Sequence, residues 1–197
     1  MIYSDEHQYV YLAIPKTGST TVYNWLYRNY GAKTVKGRTI LELEGRDEGK
    51  HEPFVPKEKE GYYTFTCVRC PYTRAVSEYL FHKTFNPEAL YVRKAREMLF
   101  EDYVEWAVEN SWMFTQSYFL SWAPRVDRVL HLESLRHEIK YLMFTGKTPD
   151  ELGHVMKGKH PMPWQDHYTE RAEKFVTSWA KTDFVWFGYD KSVEDTV

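Results

Sequence analysis

Tyr9-Val10-Tyr11-Leu12-Ala13-Ile14 is an apolar run, rich in β-branched and aromatic side chains, that stops at Pro15. A short run of this kind, closed by a proline, reads as a buried strand. After a brief Lys-Thr-Gly-Ser turn, Val22, Trp25, Leu26 and Tyr30 recur at helical spacing and Gly31 supplies a stop. Strand, glycine-bearing turn and helix in succession commit the opening of the chain to α/β architecture. The pattern recurs. Tyr62 to Val68 is a second strand, and Pro71 stands where a helix would begin, with Ala75, Val76, Tyr79 and Leu80 on its apolar face. Phe100, Tyr103, Val104, Ala107 and Val108 mark an amphipathic helix. Arg128 to Leu132 reads as a third strand, and Ser134 as the cap of a helix carried by Leu135, Ile139, Leu142 and Met143 to Gly146. Thr169 caps a last helix with Ala172, Phe175, Val176, Trp179 and Ala180 on one face. Strands alternating with helices predict a single α/β domain over residues 1–197, with a P-loop-like, mostly parallel central sheet flanked by helices. In such sheets ligands bind beyond the carboxyl ends of the strands, where Lys16 and Arg69 both fall.

Composition narrows the function classes. The chain has 197 residues and a formal net charge of −2, which argues against a general electrostatic grip on nucleic acid while leaving room for a local basic pocket. No apolar run has the length of a membrane span, and the first residues lack the basic-then-apolar pattern of a signal peptide, so the expected setting is cytoplasmic. The two cysteines, Cys67 and Cys70, are too few for a disulfide scaffold and fit a reducing compartment. As a Cys-x-x-Cys pair they have no second pair to complete a zinc site. From Lys33 to Gly61 the chain is charged and rich in Gly and Pro, a surface excursion suited to be an active-site wall.

Two constellations carry chemistry. Pro15-Lys16-Thr17-Gly18-Ser19-Thr20-Thr21 lies between strand and helix, where backbone N–H groups and the positive end of the helix dipole converge and suit a phosphate. Lys16 precedes the glycine, so this is not a Walker A motif; a plainly capped helix start is the simpler alternative. In the second, Arg69 leaves a strand end while Arg74 and Ser77 share a face of the next helix, giving two guanidinium groups and a hydroxyl for a dianionic phosphate. Taken singly, either arginine reads as an ion-pair member.

Together, Pro15-Lys16-Thr17-Gly18-Ser19-Thr20 and Val68-Arg69-x-Pro71-x-x-Arg74-x-x-Ser77-x-Tyr79 resemble the two cofactor signatures of sulfotransferases that use 3′-phosphoadenosine 5′-phosphosulfate (PAPS). The likeness is to the branch of carbohydrate sulfotransferases and their bacterial and phage relatives. Lys50-His51 in the intervening loop agrees in order, as do Trp164-x-x-His167-Tyr168-Thr169 and Asp183-Phe184-x-x-Phe187-Gly188-Tyr189. Cys70 stands where relatives often carry His, Asn or Asp.

The resemblance implies a role at each matching position. Lys16 would stabilise the leaving phosphate. The amides and hydroxyls of Thr17, Gly18, Ser19, Thr20 and Thr21 would hold the 5′-phosphosulfate. Arg69 and Ser77, with Arg74 beside them, would bind the 3′-phosphate, and Lys157-Gly158 resembles a later 3′-phosphate loop. His51 lies where this branch commonly keeps its base, with Glu52 as the adjacent alternative; histidine suits proton removal near neutral pH. The product would be 3′-phosphoadenosine 5′-phosphate (PAP) and the acceptor a hydroxyl, foremost on a carbohydrate. No metal is expected, since no carboxylate or Cys/His cluster shows ligand spacing. Lys83 to Met98 and the aromatic stretch Trp112 to Phe119 are candidates for the acceptor side. The alternatives are a catalytically inactive nucleotide- or partner-binding module on the same fold, and a nucleotide kinase, which lacks a Walker lysine and a magnesium-binding aspartate here.

Overall fold

The computed structural model describes residues 1–34, 51, 54–84, 89–123, 125–145, 152 and 162–193. The chain divides into two compact units, Met1–Arg69 with Phe119–Lys157, and Cys70–Tyr118 with Gly158–Val197.

The first unit is built on a five-stranded sheet in the order β3-β1-β2-β4-β5, from β1 (Ile2–Ser4), β2 (Tyr9–Leu12), β3 (Lys33–Thr34), β4 (Tyr63–Val68) and β5 (Arg128–His131). β2, β4 and β5 are parallel, in a register that sets Leu12 opposite Thr66 and Val68 opposite His131. The mostly parallel sheet that the sequence predicts is therefore a mixed one. β1 returns into β2 through residues 5–8, a connection too short for anything but an antiparallel pair, and β3 adds to β1 antiparallel. β2 is buried along its whole length, as its unbroken apolar run requires. Strand alternation sends Tyr9 and Tyr11 into a cluster with Val22, Trp25, Leu26 and Phe65 on one face, and Val10 and Leu12 into another with Met1 and Val55. Each such side chain contributes about 1.5–3 kcal/mol on burial.

Helix α1 (Ser19–Tyr30) buries the predicted face, and Gly31, at φ +57°, closes it by donating to Leu26 O. The helix expected from Leu135 to Gly146 is instead α6 (Leu135–Glu138) followed by a 3-10 turn, Ile139–Tyr141. That path already buries Ile139 and Leu142, so the apolar spacing is satisfied without a longer helix, and Met143 is left exposed. Ser134 does not cap α6; its hydroxyl donates to the Glu138 carboxylate.

The second unit is helical: α2 (Pro71–Thr84), α3 (Leu90–Glu97), α4 (Phe100–Glu109), the start of α5 (Gln116–Leu120), α7 (Glu170–Trp179) and α8 (Lys181–Phe187). Its core joins Tyr72, Ala75, Val76, Tyr79, Tyr103, Val104, Ala172, Val176 and Phe184. Thr169 caps α7 as expected, its hydroxyl accepting from Ala172 N at 3.2 Å. The Trp164 to Tyr168 segment packs here too, with Tyr168 donating to Tyr72 O at 3.0 Å and both Trp164 and Tyr168 against the Tyr72 ring. Among the described residues no helix is long and apolar enough to cross a membrane.

Candidate active site

β2 ends at Leu12 and the chain reaches α1 through Ala13 to Gly18. Two residues of this turn are left-handed: Gly18 at φ +77° and, unusually for a residue with a side chain, Lys16 at φ +65°. Gly18 has a second reason to be glycine, because a Cβ there would lie 2.5 Å from Leu132 Cδ1. The first ladder bond of α1 runs from Val22 N to Gly18 O at 3.1 Å, so the N–H groups of Ser19, Thr20 and Thr21 precede the ladder at the helix's positive end. No acidic side chain occupies that first turn to offset the dipole.

Three carbonyls of the turn each accept from a side chain. Thr17, fully buried, donates its hydroxyl to Ile14 O at 2.9 Å, which commits that hydroxyl to the turn itself. Arg69, the residue after β4, donates from Nη1 to Lys16 O at 3.3 Å. His51 contacts Ala13 O through Nδ1 at 2.6 Å. A carbonyl only accepts, so Nδ1 carries the proton and a neutral His51 ring has its lone pair on Nε2. The turn thus gathers Lys16, His51 and Arg69, which lie far apart in sequence, on one short piece of backbone. The parallel alignment of β2 and β4 accounts for it, because it carries Lys16 and Arg69 off neighbouring strand ends.

In the second unit Arg74 is only 2% exposed. Its guanidinium donates to Phe114 O at 2.8 Å and pairs with Glu78 at 3.3 Å, one turn on along α2. Both partners lie on the core side of α2, which makes this a buried ion pair. Ser77, on the same helix, is half-buried. Asp183 completes a clamp on the segment that Arg74 holds: its carboxylate accepts from Gln116 N and Ser117 N, each at 2.7 Å. The tail pattern marked Asp183, but nothing in the sequence marks the Phe114 carbonyl. Glu52, Lys157 and Gly158 lie outside the described residues.

Cys67 and Cys70 are buried thiols outside any disulfide, and burial pushes the Cys67 thiol well above its ordinary range. Among the described residues no group of three His, Cys, Asp or Glu could hold a metal ion.

Searches of curated proteins and of solved structures return no match. Residues 1–190, running through both units, match the sulfotransferase family, whose members normally use PAPS, and the chain belongs to that family.

Proposed function

We propose that this chain moves a sulfuryl group from PAPS to an acceptor hydroxyl, on a carbohydrate, with Lys16 and His51 as the catalytic residues. The observation that carries the reading is the left-handed Lys16 turn, with His51 and Arg69 hydrogen-bonded to its backbone, in a chain of the sulfotransferase family. The residues fit a phosphosulfate: a helix N-terminus without a first-turn acid, a lysine before it, and a guanidinium on the lysine's own carbonyl. The amides of Thr17, Gly18, Ser19, Thr20 and Thr21 would hold the 5′-phosphosulfate, while the family pattern gives the 3′-phosphate to Arg69 and Ser77, with Arg74 beside them and Lys157-Gly158 as a further contact. A P-loop-like use of this turn, and both units acting as one domain, belong to the same proposal.

When bound, PAPS supplies the sulfuryl group and PAP is what remains. His51 Nε2 takes the acceptor proton as the oxygen–sulfur bond forms. The Lys16 ammonium meets the charge that collects on the phosphate as the sulfur–oxygen bond breaks. Positioning on a pre-set backbone supplies much of the acceleration. A reducing, cytoplasmic setting accords with two cysteines outside any disulfide.

The test is calorimetric binding of PAP against ATP and ADP, followed by turnover of PAPS with a panel of sugars, phenols and simple alcohols. Tight, metal-independent binding of PAP alone is expected, with transfer to a sugar that Lys16→Ala abolishes. Equal binding of ATP would overturn the cofactor, and transfer only to phenols would overturn the acceptor.

A further inference from the structure

We propose that Arg69 is a positioning residue for Lys16: its guanidinium holds the Lys16 carbonyl, and with it the left-handed backbone that aims the lysine amine. This deepens the proposed function, on which it rests only for the role of that amine.

An L-residue with a Cβ meets steric opposition in the left-handed region, from which glycine is exempt. Gly18 occupies that region without cost at φ +77°; Lys16, at φ +65°, does not. A lysine has no short polar side chain to stabilise the conformation locally, as asparagine does, so the opposition is met by contacts from outside the turn. The Lys16 carbonyl accepts from Arg69 Nη1, a charge-assisted bond that restricts rotation of the peptide following Lys16.

The other end of the brace is rigid. Arg69 follows Val68, which is paired with His131 in β5, while β4 itself is paired with β2 at Leu12 and Thr66. The strand that leads into the turn and the strand that carries its brace are therefore neighbours in one sheet. Thr17 and His51 hold the carbonyls of Ile14 and Ala13 upstream, and Arg69 holds that of residue 16 itself. Since the direction of the Lys16 Cα–Cβ bond follows from its backbone angles, loss of the brace would re-aim the amine.

A double-mutant cycle tests this without any ligand. Urea unfolding is measured for the wild type, Arg69→Ala, Lys16→Gly and the double variant. Arg69→Ala should lower the folding constant roughly tenfold in the wild-type background and at most about twofold with Lys16→Gly, because glycine needs no brace at positive φ. Equal losses in the two backgrounds would overturn the proposal, since a general structural role would not depend on residue 16. Arg69→Lys, which keeps a cationic donor, should recover part of the loss and serves if Arg69→Ala fails to fold.

Nucleotides give the second readout. Adenosine 5′-monophosphate, which has no 3′-phosphate, should bind roughly tenfold more weakly to Arg69→Ala than to wild type. Weakening confined to PAP would make Arg69 a ligand alone and overturn the positioning role. A wild type that binds neither nucleotide would overturn the proposed function instead, and the unfolding cycle would still decide the brace.

Discussion

Leu132 fills the space that a side chain at Gly18 would need: its Cδ1 lies 2.5 Å from where a Cβ would stand. The two residues come from different strand ends, Gly18 from the turn after β2 and Leu132 directly after β5, and they meet because both strands run the same way through the sheet. Gly18→Ala should therefore cost stability, chiefly through the positive φ at that position, by about 1–2 kcal/mol. The leucine end can swing aside, so the contact adds less than the backbone does. Chemical denaturation checks this, and a loss under about 0.5 kcal/mol, the scale of an ordinary surface change, would show that the turn accepts a Cβ.

His51→Ala should separate binding from turnover. The imidazole donates to the Ala13 carbonyl, and the proposed base is the other nitrogen. Turnover should fall by roughly 10²–10⁴ while PAP affinity stays within about threefold of wild type. PAP calorimetry beside a PAPS turnover assay reads both. Unchanged turnover would pass the base to another group, with Glu52 the nearest candidate in sequence.

Arg74→Ala should act on stability before anything else. Removing the guanidinium leaves Glu78, only 6% exposed, without its ion-pair partner and the Phe114 carbonyl without its donor. The expected loss is about 3–5 kcal/mol in urea unfolding, and replacing both members of the pair (Arg74→Met with Glu78→Leu) should recover most of it. A fully stable Arg74→Ala that has lost PAP binding would instead give Arg74 the phosphate role expected from the sequence.

Cys67 should be inert to thiol reagents in the folded protein. Burial raises its thiol well above the usual cysteine range, so near pH 8 it stays protonated and the nucleophilic thiolate is not populated. Ellman's reagent should leave Cys67 unmodified under native conditions and label it in denaturant. Prompt native labelling at Cys67, read by peptide mapping, would contradict the buried placement.

The sequence is most legible where structure follows from neighbours a few residues apart. The buried run of β2, the stop at Gly31, Pro71 at the head of α2 and the Thr169 cap all stand where spacing and capping chemistry place them. The strands β1 and β3 are too short to announce themselves, having three and two residues. The helix after β5 is shorter than its apolar spacing suggests because a 3-10 turn buries the same residues. At the candidate site, the residue types and their order are readable in Lys16, His51 and Arg69, but their contacts are not. His51 reaches Ala13 across 38 residues, Arg69 reaches Lys16 across 53, and Arg74 reaches Phe114 across 40.

By itself the sequence determined an α/β chain with a glycine-bearing turn at the first strand-to-helix junction, and its motifs determined the family. Periodicity and capping act within a few bonds, so one dimension suffices to read them. The tertiary structure alone decided that Lys16 would be left-handed, that Arg69 and His51 would hold carbonyls of its turn, and that Arg74 would reach the Phe114 carbonyl. Each of these depends on packing and pairing between segments distant in the chain; for Lys16 and Arg69 that is the parallel register of β2 and β4, which is set only when the sheet assembles.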